Sequence, residues 1–350
     1  MRRIAGLGVA ALACAGAGVG EDSAHQPPLS YLSSASDRAD PVVALTWGLI
    51  AISVAVVVVM AAAVLGGVGR RVRDAAVPGD VAVERGGNGL RWIWIGVGIS
   101  CVPLAVILVW TVQVLGAMGR ASAASSASNG AAPGEVTIEV TANQWWWKLR
   151  YVGASPSRTF VTANEMHIPV GQRVRLRLRS ADVIHSFWVP ALAGKTDVIP
   201  GQENTMWLEA RAPGRYRGNC GEFCGLQHAH MGIVVVAETP EAFRLWQDQQ
   251  LQPAAPAQTA AVAQGEATFV YRCGACHTVR GTMAGGTVAP DLTHLKSRGT
   301  LAAATLPHSI ATLSAWVANP QAIKPGTRMP NMLVTGPELQ SLRNFLETLR

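Results

Sequence analysis

The chain has 350 residues, long enough for two domains and additional segments. Apolar residues make up 49% and charged residues only 15%, a balance that excludes a disordered chain and a wholly soluble globule. The formal charge of +7 raises nucleic acid as a partner, but no basic run is interleaved with aromatics: residues 135–240 hold 11 Lys/Arg against 9 Asp/Glu, and residues 263–350 hold 8 against 4. Nucleic acid is therefore not expected. Six cysteines are too few for a disulfide scaffold.

Residues 1–20 read as a secretion signal: Arg2 and Arg3 precede an apolar stretch too short to span a bilayer. Ala11-Leu12-Ala13-Cys14 resembles a lipoprotein cleavage box with Ala11 in place of the usual Leu, so lipid attachment at Cys14 and simple cleavage nearby both stay open. Two uncharged apolar runs follow, residues 42–68 and 92–118, each longer than the roughly 20 residues a membrane helix needs. They predict a transmembrane helical hairpin over residues 42–118. Between them lie Arg70, Arg71, Arg73, Arg85 and Arg91 against Asp74, Asp80 and Glu84, whereas the segment before the first run is acidic. The positive-inside rule then puts the loop in the cytoplasm and both termini outside, the periplasmic side of a bacterial inner membrane.

Residues 119–134 are rich in Ala, Ser and Gly and predict a flexible linker. From residue 135 to about 240 the periodicity changes to two. Val136-Thr137-Ile138-Glu139-Val140 alternates, and Arg173, Arg175, Arg177 and Arg179 alternate with Val174, Leu176 and Leu178. Turn signals recur between short runs, which predicts a β-sandwich or barrel. Residues 247–262, with Pro253 and Pro256 among Gln and Ala, predict a second linker, and residues 263–350 a small, mostly helical unit.

Cys220-Gly-Glu-Phe-Cys224-Gly-Leu-Gln-His228-Ala-His-Met231 brings two thiols, an imidazole and a thioether together. Soft sulfur ligands favour copper, and a second thiol allows two copper ions bridged by both sulfurs. A further imidazole must come from elsewhere, and His185 in Asp182-Val-Ile-His185-Ser-Phe-Trp188 suits the role. A disulfide between Cys220 and Cys224 is chemically allowed outside the cell. On the pattern Cys-x-Glu-x-Cys-x-x-x-His-x-x-Met, residues 42–240 resemble subunit II of the haem–copper cytochrome c oxidases. The resemblance implies an all-β cupredoxin domain at residues 135–240 holding a dinuclear CuA centre. Cys220 and Cys224 would bridge the coppers and His185 and His228 would each bind one. Met231 and the Glu222 carbonyl would be weak axial ligands, with the Glu222 carboxylate facing a magnesium ion shared with subunit I. His230 is left as a surface or hydrogen-bonding side chain, and His25, His167, His294 and His308 as structural.

The same resemblance makes Trp145, in Gln144-Trp145-Trp146-Trp147, the exposed aromatic where electrons enter, against the plainer reading of a Trp-rich strand filling the core. The family carries a Glu before its second helix at a proton-channel mouth. Here that place holds Arg91, which cannot relay protons as a carboxylate does.

Cys273-Gly-Ala-Cys276-His277 is the attachment signature for a covalent c-type haem, with His277 as proximal ligand. Met329, followed by Pro330, resembles the sixth ligand of class I cytochromes c, with Met332 and Met283 as weaker candidates. A His/Met pair leaves no open position, so such a haem carries electrons rather than binding oxygen.

Together these resemblances point to the electron-input subunit of a caa-type cytochrome c oxidase, a respiratory-chain translocase, with its cytochrome c domain at residues 263–350. The chain would carry electron transfer and not the oxygen-reducing site. Its partners would be subunit I and the other subunits of the oxidase, with a cytochrome c or cytochrome bc complex as donor. A CuA subunit of a nitric oxide reductase and a stand-alone membrane-anchored electron-transfer protein remain as alternatives.

Overall fold

The computed structural model describes residues 29–74, 89–127 and 135–350. The secretion signal, Cys14, His25 and most of the Arg-rich loop lie outside the described residues. Two long helices come first, α1 (Asp40–Asp74) and α2 (Gly89–Ala127). Their apolar stretches, Asp40–Arg70 and Leu90–Gly119, reach mean hydropathies of 2.9 and 2.3 over 18 residues and are long enough to cross a membrane. They pack closely at Gly48, where a Cβ would come within 2.3 Å of the Trp110 ring. Small residues at such a crossing let helix backbones approach.

α2 continues through the Ala/Ser stretch to Ala127, so residues 119–127 are helix and not the expected flexible linker. Alanine is the strongest helix former, and an existing helix is extended far more easily than a new one is nucleated.

Two five-stranded sheets follow. The strands are β1 (Val136–Asn143), β2 (Trp146–Val152), β3 (Phe160–Ala163), β4 (Glu165–Pro169), β5 (Val174–Ser180), β6 (His185–Trp188), β7 (Thr196–Val198), β8 (Asn204–Leu208), β9 (Gly214–Cys220) and β10 (Gly232–Glu238). One sheet has the order β3-β2-β1-β5-β8, the other β4-β10-β9-β6-β7. The β1–β5 and β4–β10 pairs are parallel and the remaining pairs antiparallel. In β5, Val174, Leu176 and Leu178 are fully buried while the arginines pair with carboxylates, Arg177 with Glu139 and Glu203 among them. The period-2 pattern thus sets the core face, as a half-exposed strand requires. This sandwich is tied to α1: Arg211 reaches Asp40 at 2.7 Å, and the Ala35 N–H donates to the Ala191 carbonyl at 2.8 Å.

The expected linker at residues 247–262 is also largely ordered. α3 (Pro240–Leu251), capped by the Thr239 hydroxyl, lays Phe243 and Trp246 on the sandwich, where Trp246 stacks on His167 at 4.1 Å. α4 (Ala260–Arg272) begins under a Thr259 cap. The turn between them is held by Ala254 N–H donating to the Arg280 carbonyl and by His294 against the Gln252 carbonyl. A Pro/Gln-rich composition suggested slack, but aromatic burial and these bonds remove it.

The last unit adds a short hairpin, β11 (Thr300–Leu301) and β12 (Leu306–Pro307), then α5 (Ile310–Ala318), α6 (Pro320–Ile323) and α7 (Gly336–Leu346). α4 packs on α7 around Phe269, Leu342, Phe345 and Leu346. The chain is therefore a two-helix hairpin, an all-β sandwich of two five-stranded sheets and a small, mostly helical unit.

Candidate metal centres

β9 ends at Cys220 and β10 begins at Gly232, so the turn between two paired strands carries the sulfur-rich motif. The Cys220 N–H donates to the Met231 carbonyl at 2.9 Å, closing the loop at its base. His185 comes from 35 residues earlier, at the start of β6, which pairs with β9 through Phe187 and Cys220. That pairing places His185 Nδ1 3.9 Å from Cys220 Sγ. Across the site, Cys224 Sγ lies 3.6 Å from His228 Nδ1 and 3.8 Å from Met231 Sδ. The Glu222 carbonyl oxygen lies 3.1 Å from Cys220 Sγ. The ligand atoms of His185, Cys220 and Cys224 all lie within 4.8 Å of one another, and among the described residues they form the one metal-competent group of His, Cys and carboxylates. Both cysteines are free and buried.

The two thiols are coupled. A hydrogen bond with Cys224 holds Cys220 far below the usual thiol range, and the same bond together with burial pushes Cys224 up. His185 is aimed by Asp182, whose Oδ1 sits 2.8 Å from Nε2. That bond assigns the Nε2 proton and leaves Nδ1 for a metal, the usual outer-sphere arrangement of ligating histidines. Asp182 also accepts from the Gln144 N–H at 2.7 Å. Two further donors, Gln144 Nε2 at 2.8 Å and Trp145 Nε1 at 3.0 Å, converge on the Cys224 carbonyl. No local pattern marks Gln144, and for Asp182 the one local signal is its i to i+3 spacing to His185. Two sulfurs between two imidazoles, with a thioether and a carbonyl at the flanks, is a donor set that fits a pair of copper ions. The Glu222 carboxylate is half-exposed and pairs with Lys195 at 3.4 Å, apart from the sulfur cluster.

Trp145 differs from the expectation of an exposed ring: only 7% of it is accessible. Its ring is covered by the loop after α6, where a Cβ on Gly326 would lie 3.7 Å from Trp145 Cη2. Trp146 is half-buried, and Trp147 is fully buried in the sandwich core against Phe187. His230 hydrogen-bonds Gln227 Oε1 at 2.7 Å and lies beside the site without joining it.

In the helical unit, α4 ends at Arg272 and delivers Cys273, with Cys276 and His277 in the following turn. His277 Nδ1 donates to the Pro290 carbonyl at 2.7 Å, which leaves Nε2 as the free coordinating atom. Burial lowers its affinity for a proton, with the Pro290 bond acting in the opposite sense, so the neutral ligating form is favoured. Both cysteines are free, and an oriented neutral imidazole beside two thiols fits a covalent haem. Met329 and Met332 are both half-buried on the loop before α7, while Met283 is exposed. The Met329 carbonyl accepts from Gln321 Nε2 at 2.8 Å, which anchors that loop.

Comparison with known proteins places both units. The family model described as cytochrome c oxidase subunit II, periplasmic domain, matches residues 152–238, and that described as cytochrome c matches residues 262–350. Cytochrome c oxidase subunit 2 of Alkalihalophilus pseudofirmus is 36% identical over 218 residues, covering 61% of this chain and 61% of that one. The chain thus spans about three-fifths of that relative's length. The protein of the same name from Bacillus sp. strain PS3 is 29% identical over 278 residues, 76% of this chain and 75% of that one. The solved periplasmic domain of subunit II of cytochrome oxidase from Bradyrhizobium japonicum is 32% identical, covering 33% of this chain and 92% of the domain, with a TM-score of 0.31. The first matched segment encloses every residue from His185 to Met231, and the second encloses the haem-attachment turn and Met329. With both segments present in one polypeptide, the chain carries a region of the cytochrome c oxidase subunit II periplasmic-domain family followed by a cytochrome c domain.

Proposed function

We propose that this chain passes electrons from a c-type haem to a dinuclear CuA centre as the input subunit of a caa-type haem–copper oxidase in a bacterial cell membrane. The observation that carries this reading is the pairing of Cys220 with His185 and of Cys224 with His228 and Met231 around one loop. When bound, the copper pair and the haem supply one-electron redox chemistry at potentials tuned by their ligands.

The chain's own residues supply orientation. Asp182 and the Pro290 carbonyl fix the tautomers of His185 and His277, and Trp145 and Gln144 steady the Cys224 carbonyl. Cys273 and Cys276 would anchor the haem through thioether bonds, with Met329 as its sixth ligand. Electrons would enter at the haem domain from a cytochrome c or cytochrome bc complex, pass by Trp145, and leave towards subunit I, where oxygen reduction and proton translocation belong. The Glu222 carboxylate would turn to a magnesium ion at that face. Both domains and both termini would lie on the periplasmic side. Proton uptake would be arranged without a carboxylate at Arg91.

Metal and haem content of the purified full chain test the reading. Two coppers and one haem per chain are expected, with a delocalised mixed-valence signal that Cys224→Ser abolishes. One copper per chain, or a mixed-valence signal that survives Cys224→Ser, overturns the dinuclear assignment.

A further inference from the structure

Lys324 is a charged side chain in a dry place: 2% of it is accessible, between the helical unit and the sandwich. Its Nζ donates to the Trp145 carbonyl at 2.7 Å and to the Ala302 carbonyl at 3.2 Å. Burial pushes the ammonium down to about 7, against the opposing pull of Cys224. An ammonium is kept in such a place only when its partners are specific.

One of those partners is itself unusual. Ala302, Ala303 and Ala304 have φ values of 52°, 59° and 54°, three consecutive left-handed residues with side chains. Each is disfavoured, so the turn persists only where its surroundings hold it. Beyond Lys324 and the Thr305 hydroxyl, which bond the Ala302 carbonyl from within the domain, the surroundings belong to the other domain. The Gly232 N–H donates to the Ala303 carbonyl at 2.9 Å, the His230 carbonyl accepts from the Thr305 hydroxyl at 3.2 Å, and Ala304 is buried against Val234 and Val236 of β10. The loop on the other side of Lys324 is fitted in the same manner. Gly326, at φ +82°, allows close approach to Leu226 and Trp145, and the Pro325 carbonyl accepts from Gln227 Nε2 at 2.7 Å.

We propose that Lys324 is the positioning residue that seats the helical domain on the copper loop, clamping the Trp145 carbonyl and the alanine turn together and reserving the Trp145 face for this chain's own domain. An outside donor then meets the helical domain and never the Trp145 ring. The naming of the two centres rests on the function proposed above; the clamp does not.

Hydrogen exchange read by mass spectrometry on the full chain, in detergent and after its copper and haem content has been measured, tests the clamp. Lys324→Met should speed exchange about tenfold or more at residues 144–148 and 300–305, the loss of a charge-assisted bond, while α4 and α7 stay as protected as in the parent chain. Lys324→Arg, which keeps a donor, should retain most of that protection. Ala304→Arg wedges the same contact apart without touching Lys324 and should expose the same two segments. If Ala304→Arg opens them and Lys324→Met does not, Lys324 is no clamp. Unchanged exchange in both variants means that the two faces are not joined, and acceleration spread over α4 and α7 in Lys324→Met means that the lysine serves the fold of its own domain. Any of these overturns the proposal. A failure of the copper and haem reading shows separately in the metal content and leaves the exchange comparison intact.

Discussion

Tyr151 is buried in the sandwich, where its hydroxyl donates to the His167 carbonyl at 2.9 Å and accepts from the His167 N–H at 2.7 Å. Tyr151→Phe strands both backbone groups without creating a cavity, and a loss of about 1–3 kcal/mol in denaturant unfolding is expected. Asp182 acts on function instead. Asp182→Asn keeps the side chain's shape but weakens its hold on His185, and copper affinity should fall about 10–100-fold by competition titration while the fold persists. In the helical domain, Met329→Ala should admit carbon monoxide to the haem and lower its potential, whereas Met332→Ala should do neither. The reverse pattern in the carbon monoxide difference spectra would move the sixth ligand to Met332.

At the scale of elements, the crossing of α1 and α2 depends on one missing side chain. With Trp110 2.3 Å from a Cβ built on Gly48, Gly48→Leu must drive the helices apart or force the indole out of its rotamer. Overpacking of this kind costs about 1–3 kcal/mol, measurable as a lower unfolding temperature of the detergent-solubilised chain. By contrast, Arg179→Ala on the wet face of β5 should cost under about 1 kcal/mol, because its pairing with Glu203 is solvent-exposed. The alternation of β5 was legible from the sequence because pleating sends successive side chains to opposite faces. The order of residues 247–262 was not, because it comes from bonds of Ala254 and Gln252 with Arg280 and His294, residues well separated in sequence.

At the scale of the whole molecule, Glu165 joins the domains. On β4 it meets His167 at 3.4 Å and Arg215 at 2.8 Å, and it accepts from the Gly299 N–H of the helical domain at 3.0 Å. Burial works to raise its pKa, yet the bonds and charges of His167 and Arg215 prevail and bring it from 4.5 to about 2. A depressed carboxylate contributes stability above its unfolded value, so this contribution is complete above about 4.5 and is lost as pH falls towards 2. His167 runs in the opposite sense. Burial disfavours its charge, but bonds to Glu165 and Glu238 raise its pKa, so its contribution is complete below 6.5 and fades as pH rises through the folded-state value. The part of the folding stability that these two groups supply should therefore be greatest between these limits. In Glu165→Gln the acid limb should flatten in a pH series of unfolding measurements.

The sequence by itself determined what is local. Short spacing brings Cys220, Cys224, His228 and Met231 into one turn, contiguity joins Cys273, Cys276 and His277, and length without charge makes two membrane-length helices. Each of these follows from covalent reach or from a periodicity of 2.0 or 3.6 residues. Only the tertiary structure decided which distant groups complete the sites. Strand pairing carries His185 to Cys220 and Asp182 with it, and docking of the helical domain covers Trp145 with Gly326 and buries Lys324 against its carbonyl. Such contacts lie up to 179 residues apart along the chain. No local pattern encodes them, because the free energy that holds them comes from surfaces that exist only once both domains have folded.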